Sequence, residues 1–563
     1  MELIEARRLT GPSLLWNKPG SILEIRCTPA ESSRLIPVWE RNVCKMLNAV
    51  GWQNEETCHW PLSGGLSLAF SAPIDVLYSA SAINEWAWSC IQAELGGGED
   101  ETDEPDFDKM AAEICAAIME ESNPALLLLE EAAIAHDVSF LWDDDLVSVG
   151  LGNGSETWPF RELPDPETLD WSRFHDIPSG LVTGTNGKTT TVRLAKHILR
   201  ECGRDVGMSS TDWIAVNERI IERGDWSGPG GARRVLREPE VDIAILETAR
   251  GGLLRRGLGV NKADAALITN IAEDHLGDFG SQNLDELLDI KWIVSRAVED
   301  SGALILNADD PLLVGKSTEF KGRIVWFSLD PKNAVVDIHV RSGGIAFVLD
   351  GGDLVRIEGD NIQTICAARD ISITLNGAAS HNIANSLAAA ALTDRLGIAL
   401  ADIQKGLTTV SQEDHPGRCN VYAIDGFKVL VDFAHNPHAM QALFDMASAI
   451  PAKRRLLSFG QAGDRTDVQI KELARSAWAI GLDAVIVSEL ELYARGREKG
   501  VVYSIIKDEL LRSGAKEEQI RYFNQELESL DAALAWAEQG DLIIMLALGG
   551  SKPIIDKLSQ PAG

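Results

Sequence analysis

The segment that decides the fold is LVTGTNGKTTT, residues 181–191. Its apolar start is typical of a buried strand, its glycines of a tight turn, and its end of a helix. Two glycines let backbone amides surround an anion, and the helix N-terminus adds positive potential. In such a loop Lys188 would reach the terminal phosphates of a nucleotide, and the Thr189 hydroxyl would ligate Mg²⁺. The segment therefore predicts a phosphate-binding loop.

This loop departs from the strict pattern G-x-x-x-x-G-K-[ST], because Val182 occupies the position of the first glycine. The alternative interpretation is a glycine-rich turn with a chance lysine. The flanking strand and helix patterns favour nucleotide binding. The loop residues predicted to contact the nucleotide are Gly184, Thr185, Asn186, Gly187, Lys188, Thr189 and Thr190.

Outward from the loop, short apolar runs alternate with helical patterns, which is the signature of a parallel α/β architecture. A second series of this kind begins near Phe427. The predicted central strands are 180–183, 241–246, 265–271, 303–306 and 323–327. The predicted central helices are 189–201, 284–298 and 383–396. The predicted domains are an N-terminal α+β domain over 1–172, a central α/β domain over 173–411 and a C-terminal α/β domain over 412–563.

Composition limits the classes of function. The 563 residues include 52 basic and 85 acidic side chains, a formal net charge of −33, and 45% of them are hydrophobic. That apolar content excludes a wholly disordered acidic chain. Because a strongly negative field repels nucleic-acid phosphates and anionic lipids, we expect neither nucleic acid nor membrane as a partner. An anionic substrate must then meet a local basic site or a metal ion.

The eight cysteines are scattered and form no C-x-x-C pair, which predicts free thiols rather than a disulfide framework. Residues 1–20 contain no apolar signal-peptide core, and no apolar run is long enough to cross a bilayer. We therefore expect a cytoplasmic protein. The run 99–108, with seven acidic residues in ten, predicts a solvated loop.

The shortened loop T-G-T-N-G-K-T-T, residues 183–190, resembles the nucleotide loop of the Mur ligase superfamily. Enzymes of this superfamily join a carboxylate to an amine with ATP. The resemblance implies an ATP- and Mg²⁺-dependent amide ligase that acts through an acyl phosphate. It also implies a P-loop α/β central domain and a Rossmann-like α/β C-terminal domain. The expected substrates are an amino acid or peptide carrying a carboxylate and an amine co-substrate, and a homo-oligomer is left open.

Three further positions are candidates for metal binding. Glu247 closes an apolar run, and a carboxylate at the carboxyl end of a strand faces the phosphate loop, with a surface glutamate as the alternative. His275 lies in T-N-x-x-x-D-H-L, which is similar to the superfamily motif whose histidine binds a second metal. Lys291 lies where many members carry a lysine that bridges metals once it is N-carboxylated, and a plain helix lysine is an equal alternative.

Later motifs resemble the superfamily elements that hold the nucleotide. Asn382 and Asn385 belong to H-N-x-x-N, which in relatives places amides against adenine, with helix capping as the alternative. Arg418 ends the P-G-R hinge, whose arginine reaches the γ-phosphate after domain closure. Asp432 and His435 lie in D-F-A-H-N-P, similar to a segment that contacts nucleotide and metal. The predicted catalytic residues are Lys188, Glu247, His275 and Arg418.

The segment 247–258 resembles the cyanophycin synthetase family more than the peptidoglycan ligases, and the segments 6–16 and 126–152 resemble parts of the N-terminal domain of that family. In that family an ATP-grasp domain follows the N-terminal domain, whereas here only about thirty residues separate Gly152 from the phosphate loop. We therefore expect the Mur-like ligase without the ATP-grasp ligase. The tryptophan-rich N-terminal domain is a candidate for holding a peptide or polymer, with aromatic packing as the alternative. The rival functions are a nucleotide-binding scaffold without ligase activity and a small-molecule ligase resembling folylpolyglutamate synthetase.

Overall fold

The computed structural model describes residues 1–95, 105–274, 276–277 and 280–559, and most of the predicted acidic loop lies outside them. The elements of the N-terminal region are β1 (Glu2–Leu9), β2 (Gly20–Arg26), α1 (Pro29–Ala49), β3 (Thr57–Leu62), β4 (Gly65–Ser71), α2 (Leu77–Leu95), α3 (Phe107–Glu121), α4 (Pro124–Ala135), β5 (Phe140–Trp142), β6 (Leu146–Val149) and β7 (Glu156–Pro159). They form an antiparallel sheet in the order β1-β2-β4-β3 and a small sheet β5-β6-β7. Trp39 and Trp86 lie in the core between helices and sheet, which supports the packing interpretation for those two side chains.

The central region contains one sheet of eleven strands. Its elements are β8 (Ser179–Thr183), α5 (Lys188–Glu201), β9 (Val206–Ser209), β10 (Trp213–Val216), β11 (Arg219–Arg223), α6 (Pro229–Leu236), β12 (Ile243–Glu247), α7 (Arg250–Arg256), β13 (Ala263–Ile268), α8 (Leu284–Trp292), β14 (Val298–Asn307), α9 (Pro311–Lys316), β15 (Arg323–Ser328), α10 (Ala334–Arg341), β16 (Ile345–Asp350), β17 (Asp353–Glu358), β18 (Asn361–Ala367), α11 (Ser380–Arg395) and α12 (Leu400–Thr409). The strand order is β11-β10-β9-β12-β8-β13-β14-β15-β16-β17-β18, parallel from β9 to β16 and antiparallel at both edges.

Helices cover both faces of this sheet, because consecutive strand residues alternate between two apolar cores. Val182 and Ile245 lie in the core that α5, α11 and α12 complete. Their neighbours Leu181 and Leu246 lie in the core that α6, α7, α8 and α10 complete. The phosphate loop therefore follows a strand that is fixed from both sides, near the middle of the sheet.

Five central strands were predicted from the sequence, whereas the sheet contains eleven, and the end of one predicted helix was wrong. The helix predicted over 284–298 ends at Trp292 and continues as a 3₁₀ turn to Ala297. Val298 instead begins β14, where it pairs with Ala263 of β13, so the strand begins before the predicted Ala303. The β-branched Val298 is suited to that strand position, and tertiary pairing overrides the helical periodicity before it.

The C-terminal region contains a six-stranded sheet in the order β19-β20-β24-β21-β22-β23, with only the β19–β20 pair antiparallel. The bounds are β19 (Asn420–Ile424), β20 (Phe427–Asp432), α13 (Pro437–Ala449), β21 (Arg455–Phe459), α14 (Asp467–Trp478), β22 (Ala484–Ser488), α15 (Val501–Arg512), β23 (Ile520–Phe523), α16 (Glu526–Trp536), β24 (Leu542–Leu546) and α17 (Ser551–Leu558). This is the predicted parallel α/β series. Across the described part of the chain, no helix combines the length and apolar character needed to cross a lipid bilayer.

His415 lies in the segment that connects the central and C-terminal sheets. Its side chain is fully buried, and neither ring nitrogen has a hydrogen-bond partner among the described residues. Burial lowers the pKa of His415 to about 3, and the neighbouring cations Arg193 and Arg418 act in the same direction, whereas Asp414 opposes them. The connection therefore holds a neutral imidazole at neutral pH.

The depressed pKa of His415 predicts acid destabilisation. In the unfolded chain the imidazole takes up a proton near its ordinary pKa of 6.5, whereas in the folded protein it stays neutral down to about pH 3. The unfolded state therefore binds more protons within this window, and stability is lost as the pH falls through it. Between about pH 7.5 and 5.5, we expect His415→Gln to lose about 1 kcal/mol less free energy of unfolding than the unsubstituted protein. Equal losses in urea titrations of the two proteins would contradict this.

Candidate active site

A cavity of about 1950 Å³ lies where the three regions meet, at the carboxyl ends of the central parallel strands. In open α/β sheets this edge is the usual position of a ligand site. The phosphate loop lines the cavity together with side chains from β1 and β2 and from the C-terminal region. Of the predicted site residues that the structure describes, all except Gly184 line it.

Two glycines shape the phosphate loop. Gly184 and Gly187 have φ angles of 141° and 85°, a region that L residues with side chains rarely adopt. A Cβ at Gly184 would lie 1.9 Å from Thr269 Oγ1, and a Cβ at Gly187 would lie 2.2 Å from Asn385 Oδ1. The loop is therefore packed directly against the end of β13 and against α11, with no room for any side chain at these positions.

The pair Thr269-Asn270 holds the loop by hydrogen bonds. The Thr185 amide donates to the Asn270 carbonyl at 2.8 Å, and the Asn186 amide donates to Asn270 Oδ1 at 3.0 Å. In return, Thr269 Oγ1 donates to the Asn186 carbonyl at 2.6 Å, and Asn270 Nδ2 donates to the same oxygen at 3.0 Å. These bonds fix the turn just before α5, whose first-turn amides have no earlier helical carbonyl to pair with. Such a helix end is suited to an anion.

Two lysines converge on one carbonyl of this loop. Lys188 Nζ donates to the Gly184 carbonyl at 3.0 Å and to the Thr185 carbonyl at 2.8 Å. Lys291 Nζ donates to the Gly184 carbonyl at 2.8 Å from the buried face of α8. Burial lowers the pKa of Lys291 well below its ordinary value, and the charge of Lys188 adds to this effect, whereas Asp274 opposes it. Lys291 thus lies in the site, where burial disfavours its charged form.

Glu247 lies at the carboxyl end of β12, and it is 1% exposed. Its Oε2 accepts a hydrogen bond from Thr189 Oγ1 at 2.9 Å, while Oε1 has no hydrogen-bond partner among the described residues. Burial raises the pKa of Glu247, whereas Lys188 and Thr189 lower it. A buried carboxylate with an unpaired oxygen beside a hydroxyl fits a hard cation such as Mg²⁺. The described residues contain no group of three or more His, Cys, Asp or Glu side chains that could hold a metal ion.

The predicted metal ligand His275 lies outside the described residues. Its neighbour Asp274, in the same motif, connects the central and C-terminal regions. Asp274 Oδ1 accepts a hydrogen bond from Arg465 Nη2 at 2.9 Å, and Asp274 Oδ2 lies 3.6 Å from His435 Nε2. His435 also contacts its own backbone, with Nδ1 lying 3.1 Å from the Phe433 carbonyl.

The two asparagines of H-N-x-x-N lie side by side in the first turns of α11. Asn382 Nδ2 donates to the Ile373 carbonyl at 2.8 Å, and Asn385 Nδ2 donates to Asn382 Oδ1 at 3.2 Å. The capping alternative is not observed, because the N-cap residue is Ala379 and no side chain caps the helix. Asn385 closes the floor of the cavity beneath Gly187.

Arg418 approaches the cavity from the C-terminal side. Its guanidinium lies 4.5 Å from the centre of the Phe433 ring, and its Nη2 lies 3.5 Å from Asp212 Oδ2. Asp432 shapes this turn, since its carboxylate accepts hydrogen bonds from the Cys419 and Ala434 amides, both at 2.8 Å. In this structure the Asp432 carboxylate therefore stabilises the backbone next to Arg418.

Several site residues were missed from the sequence. Asn436 exchanges hydrogen bonds with Asn186 of the phosphate loop, at 3.0 and 3.3 Å between side-chain atoms. Arg193 and Asp212 form a close ion pair at 2.5 Å beside Arg418. The Asn-Pro pair 436–437 is a helix-start signal that marks its position, but no local pattern indicates the contact with a loop 250 residues away.

The N-terminal sheet forms one wall of the cavity. Arg7, on β1, is buried and pairs with Glu24 on β2 at 2.6 Å. It also donates to the Leu254 and Arg255 carbonyls, at 2.7 and 2.8 Å, at the end of α7. These bonds attach α7 to the N-terminal sheet. The arginines that line the cavity near this wall are Arg7, Arg26, Arg250, Arg255 and Arg256.

Comparison with known protein families gives two adjoining matches. Residues 182–393 match the Mur ligase middle domain, and residues 417–549 match the Mur ligase glutamate ligase domain. Together they span more than half of the chain, and they contain every predicted site residue.

Individual relatives agree with these matches. The cyanophycin synthetase of Synechocystis sp. is 37% identical over 392 residues, which is 69% of this chain and 44% of that protein. The UDP-N-acetylmuramoyl-tripeptide–D-alanyl-D-alanine ligase of Escherichia coli is 28% identical over 60% of this chain and 70% of its own length. The chain thus spans less than half the length of the cyanophycin synthetases it matches.

A solved structure of a bifunctional folylpolyglutamate synthase/dihydrofolate synthase superposes with a TM-score of 0.50 at 18% identity. The superposition covers 68% of this chain and 90% of that one. At this identity the likeness concerns the fold alone.

The contact between Gly187 and Asn385 predicts a specific loss of nucleotide affinity in Gly187→Ala. Gly203, at the end of the same helix, is a matched control, because its φ is 78° and a Cβ there would meet nothing within 4 Å. Both variants carry the backbone strain of about 1–3 kcal/mol, but only Gly187→Ala must displace Asn385. By calorimetry we expect ATP binding to weaken at least about tenfold in Gly187→Ala and to change little in Gly203→Ala. Equal affinities in the two variants would contradict the role given to this contact.

Proposed function

This chain belongs to the Mur ligase superfamily, as its sequence predicted, and we propose that it is an ATP-dependent ligase that joins a carboxylate to an amine. The observation that carries the proposal is the meeting of a phosphate loop and a buried, half-paired carboxylate at one edge of the central sheet. The relatives named cyanophycin synthetase and UDP-N-acetylmuramoyl-tripeptide–D-alanyl-D-alanine ligase support the same class of reaction. Because the chain spans only 44% of the cyanophycin synthetase that it matches, we propose only this class of reaction and not that relative's complete activity.

In the proposed reaction, a carboxylate oxygen of the first substrate attacks the γ-phosphorus of ATP. The bond to the oxygen bridging the β- and γ-phosphates breaks, so ADP leaves with that oxygen and an acyl phosphate forms. The amine then attacks the carbonyl carbon, loses a proton, and displaces inorganic phosphate to leave an amide. Closure around the acyl phosphate excludes water, which would otherwise hydrolyse it.

Lys188 and Arg418 would stabilise the charge on the transferring phosphoryl group. Lys188 supports this role by its position, since its ammonium group already reaches across the loop to the Gly184 and Thr185 carbonyls. Glu247 and Thr189 would hold Mg²⁺, which when bound would neutralise phosphate charge and orient the γ-phosphate. The unpaired Glu247 Oε1 is the feature that supports a cation at this place.

The remaining predicted roles belong to the same proposal. His275 would bind a second metal ion, and N-carboxylated Lys291 would bridge the two metals. The lowered pKa of Lys291 supports carboxylation, since only a neutral amine reacts with carbon dioxide. Asn382 and Asn385 would contact adenine, and their position in the lining of the cavity supports this role. The residues proposed to complete the nucleotide site are Asp432 and His435.

The arginines that line the cavity beside the N-terminal sheet support an acidic molecule as the carboxylate substrate. Of the five arginines that line the cavity near the N-terminal sheet, Arg7 pairs with Glu24 and Arg26 pairs with Glu2. Arg255 and Arg256 are exposed there, so they would attract carboxylates from solvent. We therefore propose an amino acid or acidic peptide as the carboxylate substrate, held between α7 and the N-terminal sheet.

Lys188→Ala tests the proposed function. With ATP, Mg²⁺ and pools of amino acids and aspartate-rich peptides, we expect substrate-dependent ADP release and an amide product visible by mass spectrometry. Because the charge at the phosphoryl group is removed, Lys188→Ala should lower turnover by about a hundredfold or more. The control is Lys405→Ala, an exposed lysine on α12 that pairs with Glu201. Undiminished turnover in Lys188→Ala would contradict the assignment, and ATP binding without any product would favour the scaffold alternative.

A further inference from the structure

Two guanidinium groups share one carboxylate oxygen beside the candidate active site. Asp212 lies in the turn between β9 and β10, and its side chain is 33% exposed. Its Oδ2 lies 2.5 Å from Arg193 Nη2 and 3.5 Å from Arg418 Nη2. Asp212 thus connects the helix that follows the phosphate loop with the arginine of the C-terminal hinge.

Arg193 is the fixed member of this cluster. Its side chain is 2% exposed, on the buried face of α5. Nη1 donates to the Pro416 carbonyl at 3.2 Å, and the guanidinium lies 4.3 Å from the centre of the Trp213 ring. Burial lowers the pKa of Arg193 to about 10, and Asp212 opposes that shift, so the group stays charged at neutral pH. Asp212 is therefore held against an immobile cation.

Arg418 is less tightly held than Arg193. Its side chain is 19% exposed, and its distance of 3.5 Å from Asp212 is that of an ion pair rather than of a close hydrogen bond. A guanidinium carries five N–H donors in a fixed plane, so pairing one Nη2 with Asp212 sets the direction of the others. The ring of Phe433 restricts the same plane from one side.

The turn that carries Asp212 also contacts the candidate metal carboxylate. The Thr211 amide lies 3.4 Å from Glu247 Oε2, and Thr211 Oγ1 lies 3.1 Å from Thr189 Oγ1. One short turn therefore contacts Glu247 through Thr211 and Arg418 through Asp212. A displacement of this turn would change both groups together.

We propose that Asp212 is a positioning residue, which orients the Arg418 guanidinium toward the terminal phosphate of bound ATP. The inference rests on the proposed function, since it presumes that Arg418 contacts that phosphate. Arg193 fixes Asp212, and Asp212 in turn limits the directions that Arg418 can adopt. Part of the ordering of Arg418 is thereby present before the nucleotide binds.

The competing explanation is that Asp212 serves only to neutralise the buried Arg193. Under that explanation, loss of the carboxylate would weaken folding but would leave the preference for ATP over ADP unchanged. The two explanations differ in whether the effect of Asp212 depends on Arg418, and a double-mutant cycle measures that dependence.

The test compares Asp212→Asn, Arg418→Ala and the double variant. We expect Asp212→Asn to reduce the ratio of ATP affinity to ADP affinity by about tenfold, as measured by calorimetry. We expect the same variant to lower kcat by a similar factor and to change the KM for ATP less. In the Arg418→Ala background, Asp212→Asn should change neither quantity further. Asp212→Glu, which keeps the charge, should restore part of the loss. The matched control is Asp242→Asn, since Asp242 pairs with Arg204 at 3.1 Å at a similar exposure of 29%.

The binding ratio separates this inference from the proposed function. Ligase turnover in the unsubstituted protein, with an unchanged affinity ratio in Asp212→Asn, would overturn the positioning role and leave the ligase intact. A reduced ratio in a protein that makes no amide would retain the positioning role and contradict the ligase. Equal effects of Asp212→Asn with and without Arg418 would show that Asp212 acts on Arg193 alone. If Asp212→Asn does not fold, Asp212→Glu replaces it in the same cycle and is judged by the same dependence on Arg418.

Discussion

The rest of the site depends on the close packing of the phosphate loop against the end of β13 and α11. Gly184 and Gly187 allow the loop to touch Thr269 and Asn385, where a single methyl group would not fit. That contact sets the direction of α5 and therefore the positions of Lys188 and Thr189 at its start. A side chain at Gly184 would have to displace Thr269, and one at Gly187 would have to displace Asn385, so the phosphate site would change shape.

The same loop is where the three regions of the chain meet. Asn186 exchanges hydrogen bonds with Asn436 of the C-terminal region, and Asp274 pairs with Arg465 nearby. From the other side, Arg7 attaches the N-terminal sheet to the carbonyls at the end of α7. The cavity is thus enclosed by polar contacts between regions, which are easier to exchange than apolar packing. Such contacts are suited to a site that must open for substrates and close over a reactive intermediate.

The fold was largely predictable, because buried parallel strands and their helices leave strong local patterns. β8, α5 and β12 were found in the sequence close to their observed bounds, and the second α/β series, predicted to begin near Phe427, has its strand β20 beginning at that residue. The edge strands were not, since β11 and β18 are mostly exposed and their sequences show no buried alternation. The helix over 284–298 was extended too far because its apolar periodicity continues into a 3₁₀ turn.

The residues of the candidate site were likewise predictable only in part. Residues that belong to contiguous motifs, such as Lys188, Glu247 and Arg418, could be found because each motif carries its own chemistry. Asp212 and Arg193 could not be found, because neither belongs to a recognised motif. Only the folded structure shows that they contact each other and that Asp212 contacts Arg418, about 200 residues later. Lys291 was named from its motif and lines the cavity, but only its burial in the fold explains why its charge is disfavoured. His275 lies outside the described residues, so its role stays a prediction.

The chain is strongly acidic, yet the cavity collects arginine and lysine side chains where phosphate and carboxylate would meet. The central claim is that a carboxylate is activated there as an acyl phosphate. The most direct measurement supplies substrate pools whose carboxylates carry ¹⁸O and follows the label by mass spectrometry. From a carboxylate labelled at both oxygens, the account predicts that the released inorganic phosphate contains one ¹⁸O atom and that the amide product retains the other. ADP formation with unlabelled phosphate would mean that water, rather than a carboxylate, attacks ATP, and would contradict the account.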